Sequence, residues 1–164
     1  MKIQNLNDLL IDFVKDLYNA ESQLEKALPK MAEKVSNEEL KKGFEHHLQQ
    51  TKSQIERLEK IAGILDIDPT GKKCAAMEGL IHEAEEMFDE VKDADTLDAA
   101  LIGAAQKVEH YEIASYGTAC TYARMLKLKE VEDLLKETLK EEKETDGKLT
   151  QIAEEMVNRK AVHA

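Results

Sequence analysis

The stretch Gln106-Lys107-Val108-Glu109-His110-Tyr111-Glu112-Ile113-Ala114-Ser115-Tyr116 decides how the rest of the chain is read. It lies in a long alanine-rich segment with helical spacing of its apolar residues. Leu101, Ala105, Val108, Glu112, Tyr116, Ala119 and Ala123 fall on one helical stripe. A carboxylate therefore occupies the middle of a row meant for the core. Glu109 lies three residues earlier and projects from the same face. An unpaired buried carboxylate is costly, and two are worse. Something elsewhere in the chain has to compensate them.

Three other segments repeat the pattern. A first helix, expected over about 6–35 and starting near Asn5 to Asp8, carries Leu10, Val14, Leu17, Glu21, Leu24, Leu28 and Met31 on one stripe. Pro29 lies inside it and predicts a kink or an early end. Ser36, with Glu39 three residues on, reads as a capping box for a second helix over about 37–65. Its stripe runs Leu40, Phe44, His47, Thr51, Gln54 or Ile55, Leu58, Ile61 or Ala62, Leu65, polar at the centre and flanked by Gln50. Residues 66–73, with Pro69 and Gly71, read as a linker. A short amphipathic helix over about 74–91 follows. A third long helix is expected over about 96–126 and a fourth over about 130–158. The fourth has the stripe Val131, Leu135, Thr138, Glu142, Thr145, Leu149, Ile152, Met156, with Asp146 four residues after Glu142.

Composition agrees with an all-α chain. Only 2 of the 164 residues are proline and 7 are glycine, and aromatic content is 4%. The length suits one domain with a sizeable core. A net charge of −11 speaks against non-specific binding to nucleic acid or to an anionic membrane surface. Two cysteines, Cys74 and Cys120, are too few for a disulfide scaffold or a thiolate zinc site and read as packing residues. No signal peptide or membrane-length apolar run is visible, so the expected compartment is the cytoplasm.

Short turns make consecutive long helices antiparallel neighbours. Positions equidistant from a turn then share a depth. Glu21 and Thr51 are equidistant from a turn at Ser36, and Glu112 and Glu142 from one at Lys127. With the short helix carrying the chain back along the bundle, Glu21, Glu112 and Glu142 converge at mid-height, Glu109 one turn away. His47, Gln50 and Gln54 face them from the second helix. Such a group is tolerated if the acids are protonated, if buried cations pair with them, or if metal ions neutralise them. No Lys or Arg lies on the inner stripes at that level. Oxygen ligands with an imidazole suit iron or manganese.

At this point the chain resembles a known family. Asp16-Leu17-Tyr18-Asn19-Ala20-Glu21-Ser22-Gln23-Leu24, Cys74-Ala75-Ala76-Met77-Glu78-Gly79-Leu80-Ile81, the segment from Ala104 to Gly117, and Leu135-Lys136-Glu137-Thr138-Leu139-Lys140-Glu141-Glu142-Lys143 are similar to the YciF family of bacterial stress-associated proteins. That family belongs to the ferritin-like superfamily. The resemblance implies an antiparallel four-helix bundle with the extra helix in the crossover between the second and third long helices. It also implies a homodimer joined through the helix at 74–91. By analogy with rubrerythrin-like relatives, Glu109 and Glu112 match a Glu-x-x-Glu ligand pair, and Glu21 and Glu142 match the ligands of the first and fourth helices. The second helix departs from the pattern with His47-x-x-Gln50 instead of Glu-x-x-His. The fourth has Thr145 and Asp146 where a histidine is expected.

Two functional readings follow. The leading one is a stress protein holding up to two iron or manganese ions and acting on ferrous iron with peroxide or oxygen. Its ligands are Glu21, Glu109, Glu112 and Glu142, with His47, Gln50 and Asp146 as weaker candidates. Tyr18 and Tyr116 serve it as hydrogen-bonding neighbours of Glu21 and Glu112. The rival is a metal-free dimeric structural or interaction protein that kept the bundle and lost redox activity.

Overall fold

The computed structural model describes residues 2–164. Its long helices are α1 (Leu6–Lys34), α2 (Glu38–Ile64), α4 (Ala94–Met125) and α5 (Lys129–Ile152), with the shorter α3 (Ala75–Glu90) between α2 and α4. A π turn, Ala153–Val157, and a last helical turn, α6 (Asn158–Ala161), close the chain. No described residue is in a strand. The molecule is a helical bundle in which α1 packs on α2 and α4 on α5, the two pairs meeting through α1–α4 and α2–α5. The short α3 lies against α1 and α4.

Polar side chains set the starts of these helices. Asn5 caps α1 by accepting from the Asp8 N–H at 2.9 Å, and Asp93 caps α4 by accepting from the Thr96 N–H at 2.8 Å. The cap of α2 differs from the sequence expectation. Asn37, not Ser36, accepts from the Leu40 N–H at 3.0 Å. Ser36 is otherwise engaged: its N–H and hydroxyl both donate to the carboxylate of Asp98, at 2.8 and 2.7 Å. Glu39 does not complete a capping box and pairs instead with Lys42 at 3.0 Å.

Of the two outcomes expected at Pro29, the early end does not occur, and α1 continues to Lys34. Leu24, Leu28, Met31 and Ala32 are all buried around it, and their burial outweighs the roughly 3 kcal/mol that an interior proline costs. The fourth long helix runs on to Ala161 with a π turn at Ala153–Val157 inside it. Leu149, Ala153 and Val157 are buried at a repeat of four, which drifts about 40° per step around an α-helix. The π turn widens the helix there and keeps the three on the core side.

The apolar core has two halves. One gathers Leu24, Leu28, Met31, Phe44, Leu101, Ile102 and Leu149; the other gathers Leu10, Val14, Leu17, Leu58, Ile61, Val131 and Leu135. Between them, in sequence on every long helix, come the buried polar residues Glu21, His47, Thr51, Gln54, Glu109, Glu112, Thr138 and Glu142.

Candidate metal centre

Each long helix delivers its polar residues inward because they take slots in an otherwise apolar stripe. Glu21, Glu109, Glu112 and Glu142 have no exposed surface, and His47 is 3% exposed. His47, Glu109, Glu112 and Glu142 each present a ligand atom within 4.8 Å of the others. His47 Nδ1 lies 3.2 Å from Glu109 Oε1, and its Nε2 lies 3.7 Å from Glu142 Oε2. Glu21 stands beside this quartet, its Oε1 accepting a 2.6 Å hydrogen bond from the Tyr116 hydroxyl.

Most of these atoms lack partners. Both oxygens of Glu109, both of Glu112, Oε2 of Glu21 and of Glu142, and Nε2 of His47 are buried without a hydrogen bond. Native interiors leave few such groups, and each calls for a reason. Burial pushes the carboxyls of Glu21, Glu109 and Glu112 well above the usual carboxylate range, and neighbouring acids push them further, Glu142 chiefly for the first two and Glu21 for the third. For Glu21 the Tyr116 hydroxyl acts the other way. Burial lowers His47, with Glu142 opposing. Tyr116 is raised, first by burial and then by Glu21.

A second network supports Glu142 from outside. The Gln54 amide donates to Glu142 Oε1 and, at 3.0 Å, to Glu141 Oε2. Arg57 holds Glu141 with two 2.7 Å bonds and reaches Thr138 at 3.1 Å and Glu137 at 2.9 Å. Arg57 escaped the sequence reading, which placed no cation at this level. It lies three residues after Gln54, just off the stripe, with a side chain only 15% exposed. The paired acid Glu141 keeps its charge out of the cluster.

Not every candidate converges. Gln50 is half-buried, its Oε1 accepting from Thr145 at 3.3 Å. Asp146 sits at the rim, 3.2 Å from His110 Nε2 and 3.4 Å from Gln106 Nε2. Four residues past Glu142, it is turned about 40°, enough to move it to the α4–α5 seam. Tyr18 is also elsewhere, donating to Glu59 at 3.2 Å instead of meeting Glu21. Cys74 and Cys120 are both buried and free.

Seven unpartnered donor atoms on four helices fit a cation better than an apolar void, so the class defined here is an all-helical bundle around a buried carboxylate–imidazole cluster that could hold a metal ion. Residues 5–162 match the family described as Domain of unknown function (DUF892), and the chain belongs to that family. It is 48% identical to Protein YciF of Escherichia coli (strain K12) over 162 residues, 98% of each chain. The crystal structure of that E. coli stress protein superposes with a TM-score of 0.89, covering 92% of this chain and 96% of the other. YcfI from Rhodopseudomonas palustris gives the same TM-score at 44% identity, covering 91% and 95%. A protein from Xanthomonas campestris pv. campestris, 22% identical with a TM-score of 0.76 over 97% of this chain and 98% of the other, shares the fold. Among the described residues no helix is long and apolar enough to cross a membrane.

Proposed function

We propose that this chain is a single ferritin-like domain and a stress protein whose antiparallel four-helix bundle binds iron or manganese, up to two ions, at the polar layer. Glu109, Glu112, Glu142 and His47 hold the metal and Glu21 closes the site, leaving Gln50 and Asp146 outside the ligand set. One observation carries this reading: Glu109 and Glu112, one turn apart on α4, have all four oxygens buried and unpartnered. Bound iron or manganese supplies redox capacity toward peroxide or oxygen. The chain's part is to orient and to exclude water. Tyr116 fixes Glu21, Gln54 fixes one oxygen of Glu142 and leaves the other free, and the two apolar halves shut the layer off from both ends. The protein acts as a homodimer joined through α3, with a cytoplasmic setting like that expected from the sequence.

The test is metal analysis of protein purified without chelator and then reloaded with ferrous or manganous ion. About one to two ions per chain is expected, with metal-dependent consumption of peroxide. A content below about a tenth of an ion per chain after loading would end the metal reading. It would favour the metal-free dimeric interaction protein. Mass measurement by light scattering separately tests the dimer.

A further inference from the structure

A small enclosed void of about 10 Å³ adjoins the polar layer. Its hydrocarbon walls come from Leu24, Leu28, Met31, Ala105 and Val108, and the rest from His47 and Glu109, both assigned above to the metal. The sequence sets it there. Leu24 stands three residues past Glu21, and Val108 one residue before Glu109, so the void begins where the polar layer gives way to one apolar half of the core. His47 also lines the surface groove between α2 and α5, so one imidazole stands between this void and the exterior.

Native interiors leave few voids as large as a water, because the atoms around one lose their contacts. A water needs about 10–15 Å³ of such space and two to four polar partners. No polar surface is open to this void, so His47 and Glu109 present it with carbon. Water and hydrogen peroxide would each enter at the cost of stranded O–H groups. Dioxygen has no such groups and no charge, and it gains dispersion contacts with the walls. Met31, an unbranched thioether with three rotatable bonds, lets the space lengthen for a diatomic molecule.

We propose that this void is a docking site for dioxygen, and that dioxygen is the co-substrate this chain selects over peroxide. The docking stands on the void alone, whereas its use rests on the metal-binding reading above. Oxidation of two ferrous ions by one dioxygen takes up two protons from solvent and releases one hydrogen peroxide, each iron giving up one electron. Ala105 and Val108 set the size limit, and the ligands His47 and Glu109 form the wall between the gas and the metal layer.

Metal-free crystals pressurised with krypton, an apolar probe close to dioxygen in size, test the docking. A krypton peak in the void is expected. Val108→Ile adds one methyl to the wall and should remove that peak. Ala105→Val should do the same from one turn earlier on α4, and stands as the independent variant should the first disturb Glu109. In iron-loaded protein both should slow oxidation by dioxygen, read from the ferric absorbance, roughly tenfold more than oxidation by hydrogen peroxide. Their iron content should equal the parent's. An empty void under krypton, krypton retained in both variants, or equal slowing with the two oxidants would overturn the proposal. Failure of the metal reading looks different: krypton seated in a chain that loads no ion, which removes the co-substrate role as well.

Discussion

Two buried carboxylates on the same helix have opposite circumstances. Asp98 near the start of α4 is 1% exposed, and Glu112 near its middle is not exposed at all. Asp98 receives three hydrogen bonds, from the Ser36 N–H at 2.8 Å, the Ser36 hydroxyl at 2.7 Å and the Asn37 N–H at 2.8 Å. It ties the α1–α2 turn to α4 and needs nothing more. Glu112 receives none, and Glu109, Glu21 and Glu142 crowd it. Burial of an acid therefore says little about function; the supply of donors around it says much more.

The largest effect that distinguishes the two sites is metal-linked stability. Free ferrous or manganous ion at about a thousand times its Kd should add about 4 kcal/mol. At about 2–4 °C per kcal/mol for a chain of this size, the melting temperature should rise by roughly 8–16 °C. Scanning calorimetry with and without metal reads this directly. An unchanged melt would erase the contrast, leaving Glu112 as an expensive relative of Asp98.

Asp98→Ala comes next. It strands the Ser36 and Asn37 N–H groups and should cost about 3 kcal/mol in chemical denaturation, with metal content unaltered. Glu112→Gln should do the reverse. Metal affinity should fall at least tenfold, while the chelated protein gains about 1 kcal/mol at neutral pH because a crowded, desolvated acid has gone. If both variants simply lose stability, Glu112 is a structural acid as well.

The pH dependence has the smallest effect and a definite sign. Glu21, Glu109 and Glu112 have carboxyls raised above their ordinary value of 4.5. Their contribution to the metal-free fold is complete below that value and is lost as pH rises toward their folded values. His47 lies below its ordinary 6.5; its contribution is present above 6.5 and is lost as pH falls through the folded value. Metal binding needs the deprotonated ligands, so the metal-induced rise in melting temperature should grow from about pH 5 to about pH 8. Melts at several pH values, chelated and loaded, show both trends. A metal increment flat across that range would argue against carboxylate ligation.

Much of this was legible beforehand because helical periodicity is a local property. Glu21, His47, Glu112 and Glu142 interrupt apolar stripes that can be read directly, and short turns equalise their depth. Asp98 is legible by the same rule, lying three residues before Leu101 on the same stripe, one turn ahead of the row that starts at Leu101. Arg57 and Asp146 were not legible in this way. Each lies one helical step off the stripe, and whether such a residue points to a seam, to the rim or to a partner depends on how the neighbouring helix is rotated. Ser36 suits the cap by its own segment, but a carboxylate 62 residues away takes its hydroxyl instead.

The sequence by itself determined that the chain would form long helices, where most of them would start and stop, and that acids from three helices would reach one interior level. Those outcomes follow from propensity, capping and a 3.6-residue repeat, all of which act over a few residues. Tertiary structure decided which acids are left without donors. It also placed the paired Arg57 and Glu141 beside Glu142. These depend on angles and distances between separate helices, where a rotation of tens of degrees decides whether a carboxylate finds an N–H or only another carboxylate.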